Sequence, residues 1–286
     1  MNVVADYFEL AKPRIIVLLL VTTAAAMVMA ARGIPPLALT FWTLLGGALA
    51  AGSAGALNCV FDADIDRVMA RTMQRPIPQG RITPLAATVY AVILGVSAFA
   101  LLYLLVNPLA AWLSLAGNVF YVGIYTMWLK RRTALNIVIG GAAGAVPPLV
   151  GWAAVTHQIG GPALGLFALI FLWTPPHFWS LALMTETDYD KANVPMMPNV
   201  AGEERTKREI IYYTILLVVA SLALYPLHVM GALYTGAAAV LGGIFLYDTI
   251  RTWKDAGNFW ARRTFKFSLL YLALMCLVMV IDRIIA

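Results

Sequence analysis

The stretch that decides the fold runs Leu39-Thr-Phe-Trp-Thr-Leu-Leu-Gly-Gly-Ala-Leu-Ala-Ala-Gly-Ser-Ala-Gly-Ala-Leu-Asn58-Cys-Val60, then Phe61-Asp62-Ala-Asp64-Ile-Asp66-Arg67. Twenty-two residues pass without a charge, and three aspartates follow within five positions. About 20 apolar residues in helical form cross the roughly 30 Å of hydrocarbon in a bilayer. Loops cannot make that crossing, because unsatisfied backbone groups are too costly in lipid. The stretch therefore predicts a transmembrane helix that ends, at one membrane face, on a carboxylate cluster.

The rest of the chain repeats the first half of this pattern. Apolar residues make up 62% of the 286, and charged residues only 12%, against about 25% charged in a soluble domain. Nine apolar blocks are predicted as spans, at 13–31, 39–60, 84–106, 109–129, 134–155, 162–184, 209–228, 231–250 and 265–285. The first has no small-residue cleavage site and runs straight on to the second, unlike a signal peptide. The unbroken series predicts one all-α membrane domain over 1–286, with the long loops 61–83 and 185–208 capping it.

Charge sets the orientation. With the N-terminus in the cytoplasm, eighteen of the 20 Lys and Arg lie on inside segments, and only Arg32 and Arg283 lie outside. That bias is the positive-inside signature. It predicts a multi-pass protein of the cell membrane with its C-terminus outside. It also accounts for the net charge of +6, so a nucleic-acid partner is not needed to explain it. Cys59 and Cys276 fall within or at the ends of apolar spans and are expected to be small buried hydrophobes.

All acidic residues except Asp282 lie on the inside half. Asn58, Asp62 and Asp66 stand four apart and share one helix face. Like charges at that spacing repel, and near lipid each costs several kcal/mol (about 2.5–3.5 on insertion scales). A cation between them resolves the conflict, and Mg²⁺ suits one or two carboxylates plus phosphate oxygens. Asp64 points to another side, where Arg67 or Arg71 could pair with it. Arg71 and Arg75 follow closely, and carboxylates for a metal beside cations for phosphate make a metal–diphosphate site. A second acidic group, Glu186, Asp188 and Asp190, follows the sixth span, as the first follows the second. Both spans run outside to inside, so the two could be a duplicated half-site.

The pattern Asn-x-x-x-Asp-x-x-x-Asp after the second span resembles the first signature of the UbiA superfamily of intramembrane prenyltransferases. The haem-farnesylating branch is similar to more of the chain. Its pattern is carried by Arg71-Thr72 and Arg75-Pro76-Ile-Pro78-Gln-Gly80-Arg81, by Tyr125 through Lys130-Arg131, and by Asn136 through Gly140-Gly141 to Pro147-Pro148. Trp173-Thr-Pro175-Pro176-His177-Phe178-Trp179, Asp188-Tyr189 and Val194-Pro195 complete it. The resemblance covers about residues 9 to 270. It implies nine helices around a central cavity and a transfer of farnesyl from farnesyl diphosphate to haem B, giving haem O. It implies Mg²⁺ on Asp62, Asp66, Asp188 and Asp190, with Glu186 leaving the second ligand set open. It implies diphosphate contacts from Asn58, Arg71, Arg75, Lys130 and Arg131, with Asp62, Asp66, Tyr125, Lys130 and Asp188 as the catalytic set.

His177 and Trp173 would meet the haem, although a lone membrane histidine is as often a satisfied packing residue. The dense Gly and Ala of 140–148 suit close helix packing, and Pro147 and Pro148 are expected to break the helix beside a cavity. Partners would be the two substrates, the bilayer and a downstream haem-modifying enzyme. Two rivals remain: another acceptor, such as a quinone precursor or chlorophyllide, and a secondary transporter, which also uses broken helices and buried charge.

Overall fold

The computed structural model describes residues 3–285, and among them every regular element is helical. The order is α1 Val3–Leu10, α2 Pro13–Ala31, α3 Leu37–Phe61, α4 Ala63–Val68, α5 Pro84–Leu105 and α6 Pro108–Val119. A π-helix, Phe120–Trp128, and a single 3₁₀ turn, Leu129–Arg131, continue α6. Then come α7 Asn136–Thr156, α8 Gly161–Met184, α9 Glu186–Lys191, α10 Met197–Ala201, α11 Glu203–Ala223, α12 Ala232–Lys254 and α13 Phe259–Ile285. Proline opens α2, α5 and α6, where its missing N–H is no loss. Thr83 and Asn107 cap α5 and α6, accepting from Ala86 N at 3.2 Å and Ala110 N at 2.9 Å.

Eight of the described helices are long and apolar enough to cross a membrane, counting α6 and its continuation as one. They match eight of the nine expected spans. The ninth, expected at 209–228, is displaced. Its helix, α11, begins six residues earlier on Glu203-Glu204-Arg205 and ends at Ala223. The charged first two turns are helical because Glu204–Arg208 and Glu203–Lys207 pair at i, i+4. Residues 224–230 turn back on themselves, with Val229 N donating to Leu224 O at 2.9 Å. Among the described residues nine long helices result, one of them charged over its first two turns.

α7 and α8 form the centre, 50% and 67% buried, whereas α5 is 22% buried. Peripheral helices turn large apolar side chains outward, such as Leu104, 75% exposed, and Val96 on α5 and Val240 on α12. A contiguous apolar exterior of this kind belongs to a lipid-facing surface. The chain is a multi-pass membrane protein.

Small residues set the helix spacing. A Cβ on Gly151 would stand 2.3 Å from Thr23 O, so α2 and α7 touch backbone to side at that point. Neither proline pair breaks its helix. α7 runs through Pro147-Pro148 and α8 through Pro175-Pro176. The expected break at Pro147 does not occur. A proline ring clashes with the carbonyl four residues back, here on Ala143 and Gly144, where little else crowds the turn. On α8, the Thr174 and Ser180 hydroxyls bond the carbonyls of Ile170 at 2.8 Å and Pro176 at 2.6 Å.

One element was not expected at all. α1 precedes the first span and packs Leu10 with Ala56, Cys59, Ile77 and Ile82. Arg81 reaches across to Asp6 at 2.9 Å. The N-terminal segment thus joins the 61–83 loop in covering the acidic end of the bundle.

Candidate active site

The site is built where α3 runs out into α4. The helix bends at Asp62 but keeps its pairing: Asp62 N donates to Asn58 O at 2.9 Å, and Asp66 N to Asp62 O at 2.8 Å. Asn58, Asp62 and Asp66 therefore stay on one face, as their spacing predicts. All three are buried, with exposures of 3%, 1% and 2%. Carboxylates this deep must be paired, and each takes one cation.

Lys130 donates to Asp62 Oδ2 at 2.5 Å, and Asn58 Nδ2 donates to the same oxygen at 2.8 Å. Arg75 donates to Asp66 Oδ2 at 2.7 Å. Lys12 donates to Asn58 Oδ1. Burial pushes the Lys12 ammonium below its ordinary pKa, opposed in part by Asp62 and Asp66. Asp62 Oδ1 is buried with no hydrogen-bond partner. An orphaned carboxylate oxygen, beside a second carboxylate one turn on, is the donor chemistry a hard divalent cation takes.

Lys12 was not singled out from sequence, where it counted only toward topology. Its position is unusual. It holds a left-handed conformation, φ 58, between α1 and Pro13. Such a conformation is sparsely populated for a side-chain-bearing residue. Here it swings the chain so that the ammonium of the α1–α2 joint faces Asn58.

The π-helix carries Tyr125 and Thr126, and Lys130 follows it in the 3₁₀ turn. Thr126 Oγ1 donates to Tyr121 O, five residues back, at 3.0 Å, and accepts from Asn58 Nδ2 at 3.0 Å. The Tyr125 ring lies against Gly140, where a Cβ would stand 2.2 Å from it. Glycine at 140 is thus what admits the ring.

The second loop enters through Tyr189. Its hydroxyl accepts from Arg71 at 2.9 Å, and the Arg71 guanidinium lies 5.3 Å from its ring centre. Tyr189 also packs with Ile65, Met69 and Ile137. Burial raises the Tyr189 phenol above its usual pKa, and Arg71 opposes the rise. The acidic residues around Tyr189 are less engaged. Asp188 and Glu186 are half-buried, and Asp190 is exposed, lining a cleft of about 190 Å³ with Asn193 and Asn199. Among the described residues, no three acidic, His or Cys side chains gather as a ready metal cage. The two half-sites of the sequence are unequal in the structure.

Two expected contacts fall elsewhere. Asp64 pairs with neither Arg67 nor Arg71. Arg131 takes it with two bonds, 2.7 and 2.6 Å, and also donates to Phe61 O. Arg131 thereby holds the Asp64 carboxyl down to about 2. The Asp64 side chain is 65% exposed, so this is a surface pair of little energetic weight, turned away from Asp62.

His177 lies apart from the carboxylates. Its ring stacks between Trp173, 4.3 Å away, and Phe265, 4.7 Å away, and Nδ1 lies 2.7 Å from Ser268 Oγ. The Ser268 hydroxyl donates to Phe265 O at 2.7 Å, so its oxygen accepts from His177 Nδ1–H. That assigns the unprotonated nitrogen to Nε2. Trp173 Nε1 donates to Ser268 O at 2.7 Å. Both ring faces of His177 are covered, and its free lone pair leaves by the Nε2 edge alone.

Comparison with known proteins places this arrangement. Residues 19–279 match the UbiA prenyltransferase family. Proteins named Protoheme IX farnesyltransferase are similar over nearly the whole length. The one from a Synechocystis strain is 55% identical over 98% of this chain and 89% of its own. That from Gloeobacter violaceus is 54% identical over 98% and 92%. Among solved structures, a digeranylgeranylglyceryl phosphate synthase superposes with a TM-score of 0.82, covering all of both chains at 19% identity. A UbiA homologue from Archaeoglobus fulgidus bound to DMAPP and Mg²⁺ gives 0.68 over 96% of this chain and 99% of that one, at 17% identity. The chain is a member of the UbiA prenyltransferase family.

Proposed function

We propose that the chain transfers the farnesyl group of farnesyl diphosphate to a vinyl group of haem B, with addition of water, releasing diphosphate and haem O. The observation that carries this is the buried pair Asp62 and Asp66, ringed by Lys12, Lys130 and Arg75, in a chain more than half identical to its haem-farnesylating relatives. The three cations sit where a diphosphate can exchange with the carboxylates as their partner. Asp62 and Asp66 would hold the divalent ion, Mg²⁺, and Asp188 and Asp190 of the second loop would join them as ligands. When bound, it supplies Lewis-acid stabilisation of the charge that develops on the leaving group.

The chain's own residues do the remainder. Lys130, Arg75, Arg71 and Asn58 bind and orient phosphate oxygens, with Arg131 at the outer edge. Lys12 adds a further ammonium against the same charge. Tyr125, on the π-helix that leads into Lys130, lines the path of the allylic carbon, where its ring face favours developing positive charge. The vinyl group attacks that carbon as the diphosphate bond breaks, and water captures the resulting cation. The cluster covers the cytoplasmic end of a single domain, with the N-terminus inside and the C-terminus outside the cell membrane. A downstream haem-modifying enzyme would receive the product.

The direct test is incubation of the purified protein with haem B, farnesyl diphosphate and Mg²⁺, with the pigment read by mass. A mass gain equal to farnesyl plus hydroxyl is expected. Prenylation of a quinone precursor or chlorophyllide, with haem untouched, would overturn the acceptor.

His177 and Trp173 are proposed for the haem side of the site, since the Nε2 edge of His177 is free to ligate iron or hold a water. His177→Ala should shift the Soret band or weaken haem affinity on titration, and leave farnesyl diphosphate binding intact. An unaltered spectrum and affinity with normal turnover would make the Trp173–His177–Phe265 stack a packing device only.

A further inference from the structure

We propose that Ser268 of α13 is a positioning residue for the haem side of the site: it fixes the tautomer of His177, so that the Nε2 lone pair is the one offered to the haem iron. The proposal rests on the haem reading of His177 given above. It brings α13 into the site through a residue that no sequence motif marks.

Ser268 makes three polar contacts. Its hydroxyl oxygen lies 2.7 Å from His177 Nδ1 and 2.7 Å from Phe265 O. Its own carbonyl accepts from Trp173 Nε1 at 2.7 Å. Ser268 is 0% exposed and His177 8%, so neither has bulk water to fall back on.

Two proton arrangements are open to the pair. With the proton on Nδ1, the ring donates to Ser268 Oγ, and the hydroxyl donates onward to Phe265 O. Both donors are then used, and only an acceptor, Nε2, is left over. With the proton on Nε2, the hydroxyl has to turn from Phe265 O to Nδ1, and the Nε2–H has no acceptor among the described residues. A buried donor without a partner is costly, so the first arrangement wins. A histidine side chain free in water favours the other form. The protein, and not the ring, therefore makes the choice.

The neighbouring rings hold that choice in place. Trp173 and Phe265 cover the two faces of the imidazole at 4.3 and 4.7 Å, tilted from it by only 16° and 23°. A flip about χ2 would have to drive the ring edge through both stacks. Phe265 and Ser268 share a face of α13, as Trp173 and His177 share a face of α8. Two residues on each of two helices thus aim one lone pair. Metal-binding histidines commonly give their other ring N–H to an oxygen in this way, which sets tautomer and orientation together.

The chain has three histidines, His157, His177 and His228, so their nitrogens can be read one by one. The test compares the full chain with Ser268→Ala and His177→Ala, each labelled with ¹⁵N-histidine in detergent at mildly alkaline pH, by long-range ¹H–¹⁵N correlation. His177→Ala assigns the His177 signals. In the wild type, Nδ1 should be protonated and Nε2 bare. Ser268→Ala removes one oxygen and keeps the carbonyl that Trp173 uses, and the fixed tautomer should give way to a mixture. Haem B affinity, followed at the Soret band, should fall about 10- to 100-fold in Ser268→Ala, the scale for outer partners of a metal-binding histidine. Farnesyl diphosphate affinity should stay constant. A wild-type His177 protonated at Nε2, or a tautomer indifferent to Ser268→Ala, would overturn the positioning role. So would haem affinity that falls in His177→Ala and holds in Ser268→Ala, or a loss of both substrates in Ser268→Ala. A tautomer that shifts as expected, with haem affinity unchanged in both variants, would overturn the haem reading of His177 and the proposal with it.

Discussion

Asp62→Asn should reduce turnover by at least about a hundredfold, the scale on which single groups stabilising a leaving anion act. The substitution keeps the shape of a side chain that is 1% exposed and removes only its charge. The remaining amide oxygen still accepts from Lys130, so the joint between α3 and the 3₁₀ turn survives. Asp66→Asn should behave alike, since Arg75 can donate to the amide oxygen in place of the carboxylate. Chelation of Mg²⁺ in the wild-type protein should reproduce the loss without any change in sequence. Full activity after chelation would mean that the carboxylates serve only as counter-ions for Lys130 and Arg75. Thermal unfolding of each variant, measured alongside, separates lost chemistry from lost fold.

Lys130→Ala should weaken farnesyl diphosphate binding by roughly 10- to 150-fold, the equivalent of about 1.5–3 kcal/mol for a charge-assisted contact in a partly buried site. Arg75→Ala belongs in the same range. Each change also strands a buried carboxylate, a structural cost of about 3–5 kcal/mol when nothing replaces the partner. Substrate affinities distinguish the two effects. Diphosphate affinity should fall while haem affinity, followed at the Soret band, stays constant. A parallel fall in both would assign Lys130 to the scaffold.

The membrane spans were legible because lipid leaves the chain so few options. Apolar blocks of span length have to be helices, and eight of nine are where hydropathy puts them. The start of α11 was placed six residues late because its first two turns are charged and are held by i, i+4 pairs. The face shared by Asn58, Asp62 and Asp66 was legible for a similar reason: the period of a helix carries across its bend. The partners of that face were not. Lys12 and Thr126 arrive from other segments, and no local pattern reports a contact made across the fold. Lys12 gave a faint signal as a basic residue just before a proline that opens a span, but topology explained it equally well. Asp64 was misassigned because sequence neighbours, Arg67 and Arg71, are not its spatial neighbours. Arg131 is. The proline pairs failed as helix breakers: α7 and α8 run through them unbroken, held by the packing of the two most buried spans.

The π-helix at Phe120–Trp128 has a consequence for how this span tolerates length changes. A π turn holds one more residue than the α turn it replaces, so it behaves as an insertion stored inside a continuous helix. Deleting one residue between Val122 and Ile124 lets the span relax to plain α pairing. Residues beyond Trp128 keep their directions, because the residue removed is the one that the π turn had stored, and Lys130 stays on Asp62. The positions inside the π stretch, Thr126 among them, are the ones that shift. The helix would still cross the bilayer, and its hydropathy would hardly change. The π stretch is thus a local store of chain slack, whose loss moves its own side chains and not those that follow it.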